Sequence, residues 1–195
     1  MILALHFIFS AYGFWLPNDP RGSWRDVIRE FELLKFGPAT KVRNNEFVAH
    51  KAHDRQLRLK AKESLRYKPV RFNGQQALAI AQGFESAQTQ AGYHYLALAI
   101  LPDHVHLLMK PKGTDHDRIA RHLKSRATRR LSELNLHPFG HLPKSDGQIP
   151  TPWGRNHWAV FVSEQAHLKS AVSYIKRNPV KHGFKVQRWK IVEPL

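Results

Sequence analysis

The sequence predicts an α+β fold: an antiparallel sheet with helices packed on one face, plus a basic insertion. Three observations predict it. Strand-type runs and helical stripes follow the order strand, insertion, helix, strand, strand, helix, strand, helix. The two middle strands are joined only by Leu101-Pro102-Asp103, too short for anything but an antiparallel hairpin. The apolar share, 42% of 195 residues, is enough for one core, so residues 1–195 read as a single domain.

Ile2 to Ser10 is rich in β-formers and reads as a buried first strand. It lacks a basic leader and a small-residue cleavage site and is too short to span a bilayer, so a cytoplasmic protein with no membrane partner is expected. The absence of cysteine excludes disulfides, thiolate catalysis and zinc–thiolate sites, and suits that compartment. Tyr12 to Trp24 carries two prolines, two glycines and Asn18-Asp19, the composition of a structured loop. Residues 25–71 are heavily basic and read as an insertion, helical at about 50–66 without a clear core stripe.

Ala77, Ile80, Ala81, Phe84 and Ala87 keep helical spacing between a capping Asn73 and a closing Gly92. Tyr93 to Ile100 and His104 to Lys110 are the hairpin strands. Asp115 or Asp117 can cap a second helix to about Leu134, striped by Ile119, Leu123, Ala127, Leu131 and Leu134. After a Pro/Gly-rich loop at 135–156, His157 to Val162 is a short strand. Ser163 is placed as the cap of a third helix with Leu168, Ala171, Val172 and Ile175 as its stripe. That helix is expected to end near Asn178, because proline disfavours helical geometry in the residue before it. Gly183 and the Trp189 region form a tail.

Charge points to a partner. Thirty-one Lys and Arg against 15 Asp and Glu give +16, a surplus that attracts polyanions, nucleic acid first among them. The faces of the second helix outside its stripe carry Arg118, Arg121, Lys124, Arg126, Arg129 and Arg130, expected to contact a DNA backbone. Arg21 and Trp24 in the first loop are further candidate DNA contacts. Trp15, Trp24, Trp153 and Trp158 read as anchors before stacking platforms. His50, His53, His116, His122, His137 and His141 have no regular ligand spacing and are assigned to the surface.

The chemistry starts at Pro102-Asp103-His104-Val105-His106. In a strand, residues i and i+2 share a face, so His104 and His106 project side by side. Tyr174 and Asn178, four apart on the third helix, point to one place. Two imidazoles and an amide oxygen can hold a divalent ion with positions left open. Without thiolates, Mg2+ or Mn2+ is expected, able to polarise a phosphate oxygen. The Tyr174 hydroxyl can then attack phosphorus and form a phosphotyrosine.

This pattern resembles the HUH single-tyrosine transposases, the insertion-sequence and REP-associated tyrosine transposases. Tyr174-Ile175-Lys176-Arg177-Asn178-Pro179-Val180-Lys181-His182-Gly183 is similar to the Tyr-Ile-x-x-Asn-Pro-Val-Lys-x-Gly element of the REP-associated group. Tyr12-Gly13-Phe14-Trp15-Leu16-Pro17-Asn18-Asp19-Pro20-Arg21-Gly22 resembles a stretch in some members. The resemblance implies a ferredoxin-like domain that cuts and rejoins single-stranded or hairpin DNA by DNA transposition or REP-element processing. It implies Tyr174 as nucleophile and His104, His106 and Asn178 as ligands of Mg2+ or Mn2+. It implies a monomer or homodimer acting on DNA of the bacterial nucleoid. The rival is a non-catalytic DNA- or RNA-binding module of the same descent. A hydrolytic two-metal nuclease fits poorly, because few carboxylates accompany the histidines.

Overall fold

Four strands and four helices follow the expected order in the computed structural model, which describes residues 1–14, 16, 54–113, 115–142 and 148–193. They are β1 (Ala4–Ala11), α1 (Arg55–Glu63), α2 (Gly74–Ala91), β2 (Tyr95–Ile100), β3 (His104–Met109), α3 (His116–Glu133), β4 (Trp153–Val162) and α4 (Gln165–Lys181). The sheet order is β2-β3-β1-β4 and every neighbouring pair is antiparallel. Two interleaved strand–helix–strand crossovers produce that order, which is the ferredoxin-like arrangement.

Period-two alternation divides the sheet into two faces. Leu5, Phe7 and Phe9 of β1 and Val105, Leu107 and Met109 of β3 pack against Ile80, Phe84, Leu123 and Ala127 of α2 and α3. These two helices approach closely at Gly83, where a Cβ would run into the backbone of Ala127. Ala4, Ala97, Ala99 and Leu108 face the other way and receive Leu168, Val172 and Ile175 of α4. Burying each of those three side chains contributes about 1.5–3 kcal/mol.

The helices predicted for one face are thus α2 and α3, while α4 covers part of the opposite face. The small Ala97 and Ala99 leave a shallow seat for its stripe. β4 begins at Trp153, four residues before the predicted start. Gly154 lies so close to β1 that a Cβ there would force the Ser10 hydroxyl to turn away. The cap of α2 is as expected, with Asn73 and Gln76 forming a reciprocal capping box and Gly92 left-handed at φ 63°. Asp115 caps α3.

α4 departs from expectation at both ends. Its N-cap is Glu164, not Ser163, and it runs through Pro179 to Lys181. A proline in the last turn forfeits one backbone bond, and its ring is buried here. The end closes as a Schellman motif: Phe184 N–H donates to Pro179 O and Gly183 N–H to Val180 O, with Gly183 at φ 78°. The tail then docks along β2. The Gln187 amide bonds both the N–H and the carbonyl of Ile100, and Val192 bridges Tyr95, so the open strand edge is covered.

The basic insertion is described only from residue 54 onward. Leu57, Ala61 and Leu65, on and just beyond α1, form a small stripe against Leu16. Among the described residues no helix is long and apolar enough to cross a membrane.

Candidate functional site

The alternation that sends Val105 and Leu107 into the α2/α3 core turns His104 and His106 toward α4. Both are buried, 8% and 3% exposed, with ring centroids 4.9 Å apart and nearly perpendicular. Phe14 stacks on His104 at 5.1 Å and walls that side. On the neighbouring strand, His6 of β1 shares the same face. Its Nε2 lies 3.0 Å from Nδ1 of His106.

The Nδ1 atoms of both motif histidines are therefore engaged. His104 Nδ1 is 2.8 Å from Asp103 Oδ1 and donates to that carboxylate. Such a partner fixes the tautomer and leaves Nε2 as the lone-pair atom. For His106 to offer Nε2 in the same way, its Nδ1–H must donate to His6 Nε2. Burial holds His6 down at about pKa 4. Burial first, then His104, His6 and His182, holds His106 well below the ordinary imidazole range. The His6 and His106 rings are therefore neutral at pH 7, and for His106 that is the state a metal ligand needs.

α4 supplies the opposite wall. The Tyr174 ring stands edge-on to His106 at 5.5 Å, and the His182 ring edge-on to His104 at 6.0 Å. Asn178 lies one turn from each on the same helical line. It is 3% exposed, and its Oδ1 is buried without a hydrogen-bond partner among the described residues. An unsatisfied buried acceptor is costly and calls for a partner. Two imidazoles and this orphan amide oxygen are a donor set that fits a divalent ion. Tyr174 stays 45% exposed beside them, with Lys181 Nζ 5.3 Å from its ring centre.

The structure thus brings Tyr174, Asn178, His104 and His106 together. His6 and His182 join them without having been singled out from sequence. His182 is four residues beyond Asn178, and that spacing was the available signal. His6 is an isolated histidine in an apolar strand, a hundred residues from its partner, and carried none.

The predicted DNA-contact residues of α3 lie elsewhere. Arg118, Arg121, Lys124, Arg126, Arg129 and Arg130 belong to α3, across the sheet from His104 and His106. Lys124 donates to the carbonyls of Gly154 and Asn156 at 2.8 and 3.0 Å, and burial lowers its pKa to about 8. Arg126 bonds Ser86, Arg130 bonds Gln82, and Arg129 and Arg130 both pair with Glu133. Arg121 Nε reaches the Asp117 carbonyl at 3.4 Å. Arg118 lines an open pocket with Tyr93 and His122. Arg21 and Trp24 lie outside the described residues.

Trp153 is an anchor, 2% exposed with Nε1–H donating to Thr128. The surface assignment fails for His137, which is buried and accepts from the Phe139 N–H. It is incomplete for His122, paired with the Tyr93 hydroxyl, and for His116. Among the described residues, His116, Asp117 and His157 offer ligand atoms all within 4.8 Å of one another. That makes a possible His/Asp metal site distinct from the first.

Three comparisons bear on this geometry. The model of the family described as "Transposase IS200 like" matches residues 63–178, more than half of the chain. A Haemophilus influenzae protein named as a REP-associated tyrosine transposase is 37% identical over 109 residues. That match spans 52% of this chain and 60% of the relative, so it covers less than two thirds of the relative's length. A solved REP-associated tyrosine transposase bound to a REP hairpin is 14% identical with a TM-score of 0.49, over 94% of this chain and 70% of that one. A transposase structure from Deinococcus radiodurans is 15% identical with a TM-score of 0.40, over 95% and 94% of the two chains. At TM-scores under 0.5, these two likenesses add nothing to what the family match establishes.

Proposed function

The chain belongs to the IS200-like transposase family, and from that premise we propose that it cuts and rejoins single-stranded DNA beside a hairpin, through a covalent 5′-phosphotyrosine. Tyr174 is the nucleophile, and His104, His106 and Asn178 are the ligands of Mg2+ or Mn2+. The observation that carries this reading is the orphan Oδ1 of Asn178, set on one helical line between Tyr174 against His106 and His182 against His104.

The balance of the step is simple. The Tyr174 phenol loses its proton to solvent, which its exposure permits, and the phenolic oxygen attacks phosphorus. The P–O3′ bond breaks, and the 3′ oxygen takes up a proton as the free hydroxyl. The 5′-phosphate stays on Tyr174, and a 3′-hydroxyl of another end reverses the step. Because one phosphodiester is exchanged for another, rejoining needs no ATP. A divalent ion in this set would supply Lewis acidity toward the scissile phosphate. His104 and His106 offer their Nε2 atoms, oriented by Asp103 and His6. Phe14 and the α4 stripe exclude water from the back of the site.

The name of the Haemophilus influenzae relative supports REP-associated bacterial DNA as the substrate. Lys176, Arg177 and Lys181 are exposed and flank Tyr174 on α4, so they are proposed to contact the incoming backbone. The α3 cations are left with distal, non-specific contacts.

The test is to incubate the protein with labelled hairpin-bearing single-stranded DNA and Mn2+, and to resolve it under denaturing conditions. A labelled protein band is expected, and it disappears with EDTA and in Tyr174→Phe. A band of equal strength in Tyr174→Phe rules out this nucleophile.

A further inference from the structure

We propose that His116, Asp117 and His157 form a second metal site, for a borderline ion such as Zn2+ or Co2+, on the sheet face opposite His104 and His106. The site needs nothing from the proposed DNA chemistry and stands on its own geometry.

Two elements build it. His116 and Asp117 open the first turn of α3, and His157 sits in the middle of β4. His157 Nε2 is 3.5 Å from Asp117 Oδ1. The His116 and His157 rings stand 5.9 Å apart at 72°. One ligand atom from each residue falls within 4.8 Å of the other two. Around an ion with bonds of about 2.0–2.2 Å, tetrahedral ligand atoms are separated by roughly 3.4 Å. Closing the difference takes movements of about an ångström from Asp117 and His116, which lie at the outer rim.

His157 is the fixed member. Its ring rests against Phe7 and Phe9, at 5.7 and 6.3 Å. Lys124 pins β4 just before it through Gly154 O and Asn156 O. Burial and then Lys124 keep the His157 imidazole unprotonated at neutral pH. Two imidazoles and one carboxylate favour Zn2+, Co2+ or Ni2+ over Mg2+, which prefers all-oxygen shells. The first site also offers two imidazoles, so Co2+ is expected to enter both.

The surroundings also limit affinity. Lys124, Arg121 and Arg155 face the cluster, and a helix N-terminus carries partial positive charge. Asp117 is the one anion in the set, so micromolar rather than nanomolar binding is expected. Once bound, the ion ties the start of α3 to the edge strand β4.

The experiment uses the full chain carrying His104→Ala and His106→Ala, which removes the first site. Co2+ is titrated in and followed by calorimetry and by visible absorption. One equivalent with tetrahedral or five-coordinate bands is expected. Asp117→Asn, at a residue that leaves the Asp115 cap intact, weakens binding by about tenfold or more. His116→Ala with His157→Ala removes it, with the circular dichroism unchanged. As a parallel that does not depend on the first pair, the unmutated chain takes two equivalents of Co2+ and Asp117→Asn weakens one of the two by about tenfold or more. No Co2+ bound by the His104→Ala, His106→Ala chain, or binding unaffected by Asp117→Asn and by the histidine pair, overturns the proposal.

Discussion

One face of the sheet holds His6, His104 and His106 at alternate positions of adjacent strands, shielded by Phe14 and α4. The other face holds His157 near its rim, with the cation-rich α3 beside it. On the first face the polar atoms are buried and specific. The Nδ1 atoms of His104 and His106 have partners, and among the described residues the Asn178 amide oxygen has none. On the second, positive charge is abundant, but much of it is spent inside the molecule, on Ser86, Gln82, Glu133 and two backbone carbonyls. Charge density locates a class of partner, whereas buried, oriented donors locate chemistry.

The largest expected effect breaks the first face directly. Tyr174→Phe lowers covalent adduct formation by on the order of 10^4-fold or more, the usual cost of deleting a nucleophile, while hairpin binding by gel shift stays within about threefold. Asn178→Ala is expected to weaken Mn2+ binding by about tenfold or more and to leave the fold intact, since the orphan oxygen contributes no internal hydrogen bond. A calorimetric titration reads it. An unchanged Mn2+ affinity in Asn178→Ala removes that residue from the ligand set.

His6→Ala, one step further back, is expected to cost between about 10- and 100-fold in metal affinity, by releasing His106 from its orientation. His6→Gln, whose amide oxygen can accept the His106 Nδ1–H, recovers part of the loss. Recovery would not follow from a merely space-filling His6.

Acid should unfold the protein through the same buried rings. His6 and His157 titrate near 4 in the fold against 6.5 in the open chain. The unfolded chain therefore takes up protons first. Stability is full above pH 6.5, falls as pH drops from 6.5 toward 4, and is lost below. The loss is on the order of 3 kcal/mol from His6 alone. Urea midpoints at pH 7.5 and pH 4.5 measure it, and equal midpoints contradict the burial argument.

The smallest effect sharpens the contrast between faces. Arg129→Ala with Arg130→Ala should shift hairpin affinity by less than about threefold, because exposed, internally paired arginines contribute little. Lys176→Ala with Arg177→Ala, beside Tyr174, should weaken it more and flatten its salt dependence.

How much of this was legible follows from the range of each signal. Asn73, Gly92 and Asp115 mark helix ends through contacts three or four residues away, so sequence reads them well. His104 and His106 share a face by strand geometry, and Tyr174 and Asn178 by helix geometry. Their meeting across the sheet was an expectation supplied by resemblance. Pro179 misled because a local rule about proline was applied where a last turn tolerates it, and this concealed His182. His6, and the grouping of His116 and Asp117 with His157, depend on strand register and crossover, which no local pattern encodes. The arginines of α3 were legible as charge, but their partners on α2 and at Glu133 were not.

The most direct measurement is to map the covalent product. The protein is reacted with hairpin-bearing single-stranded DNA and Mn2+, trimmed with nuclease and protease, and sequenced by mass spectrometry. The account predicts one peptide containing Tyr174 with a 5′-linked nucleotide on its phenolic oxygen, and a free 3′-hydroxyl on the other fragment. An adduct on any other residue, or cleavage that leaves free 5′-phosphate ends with no adduct, contradicts it.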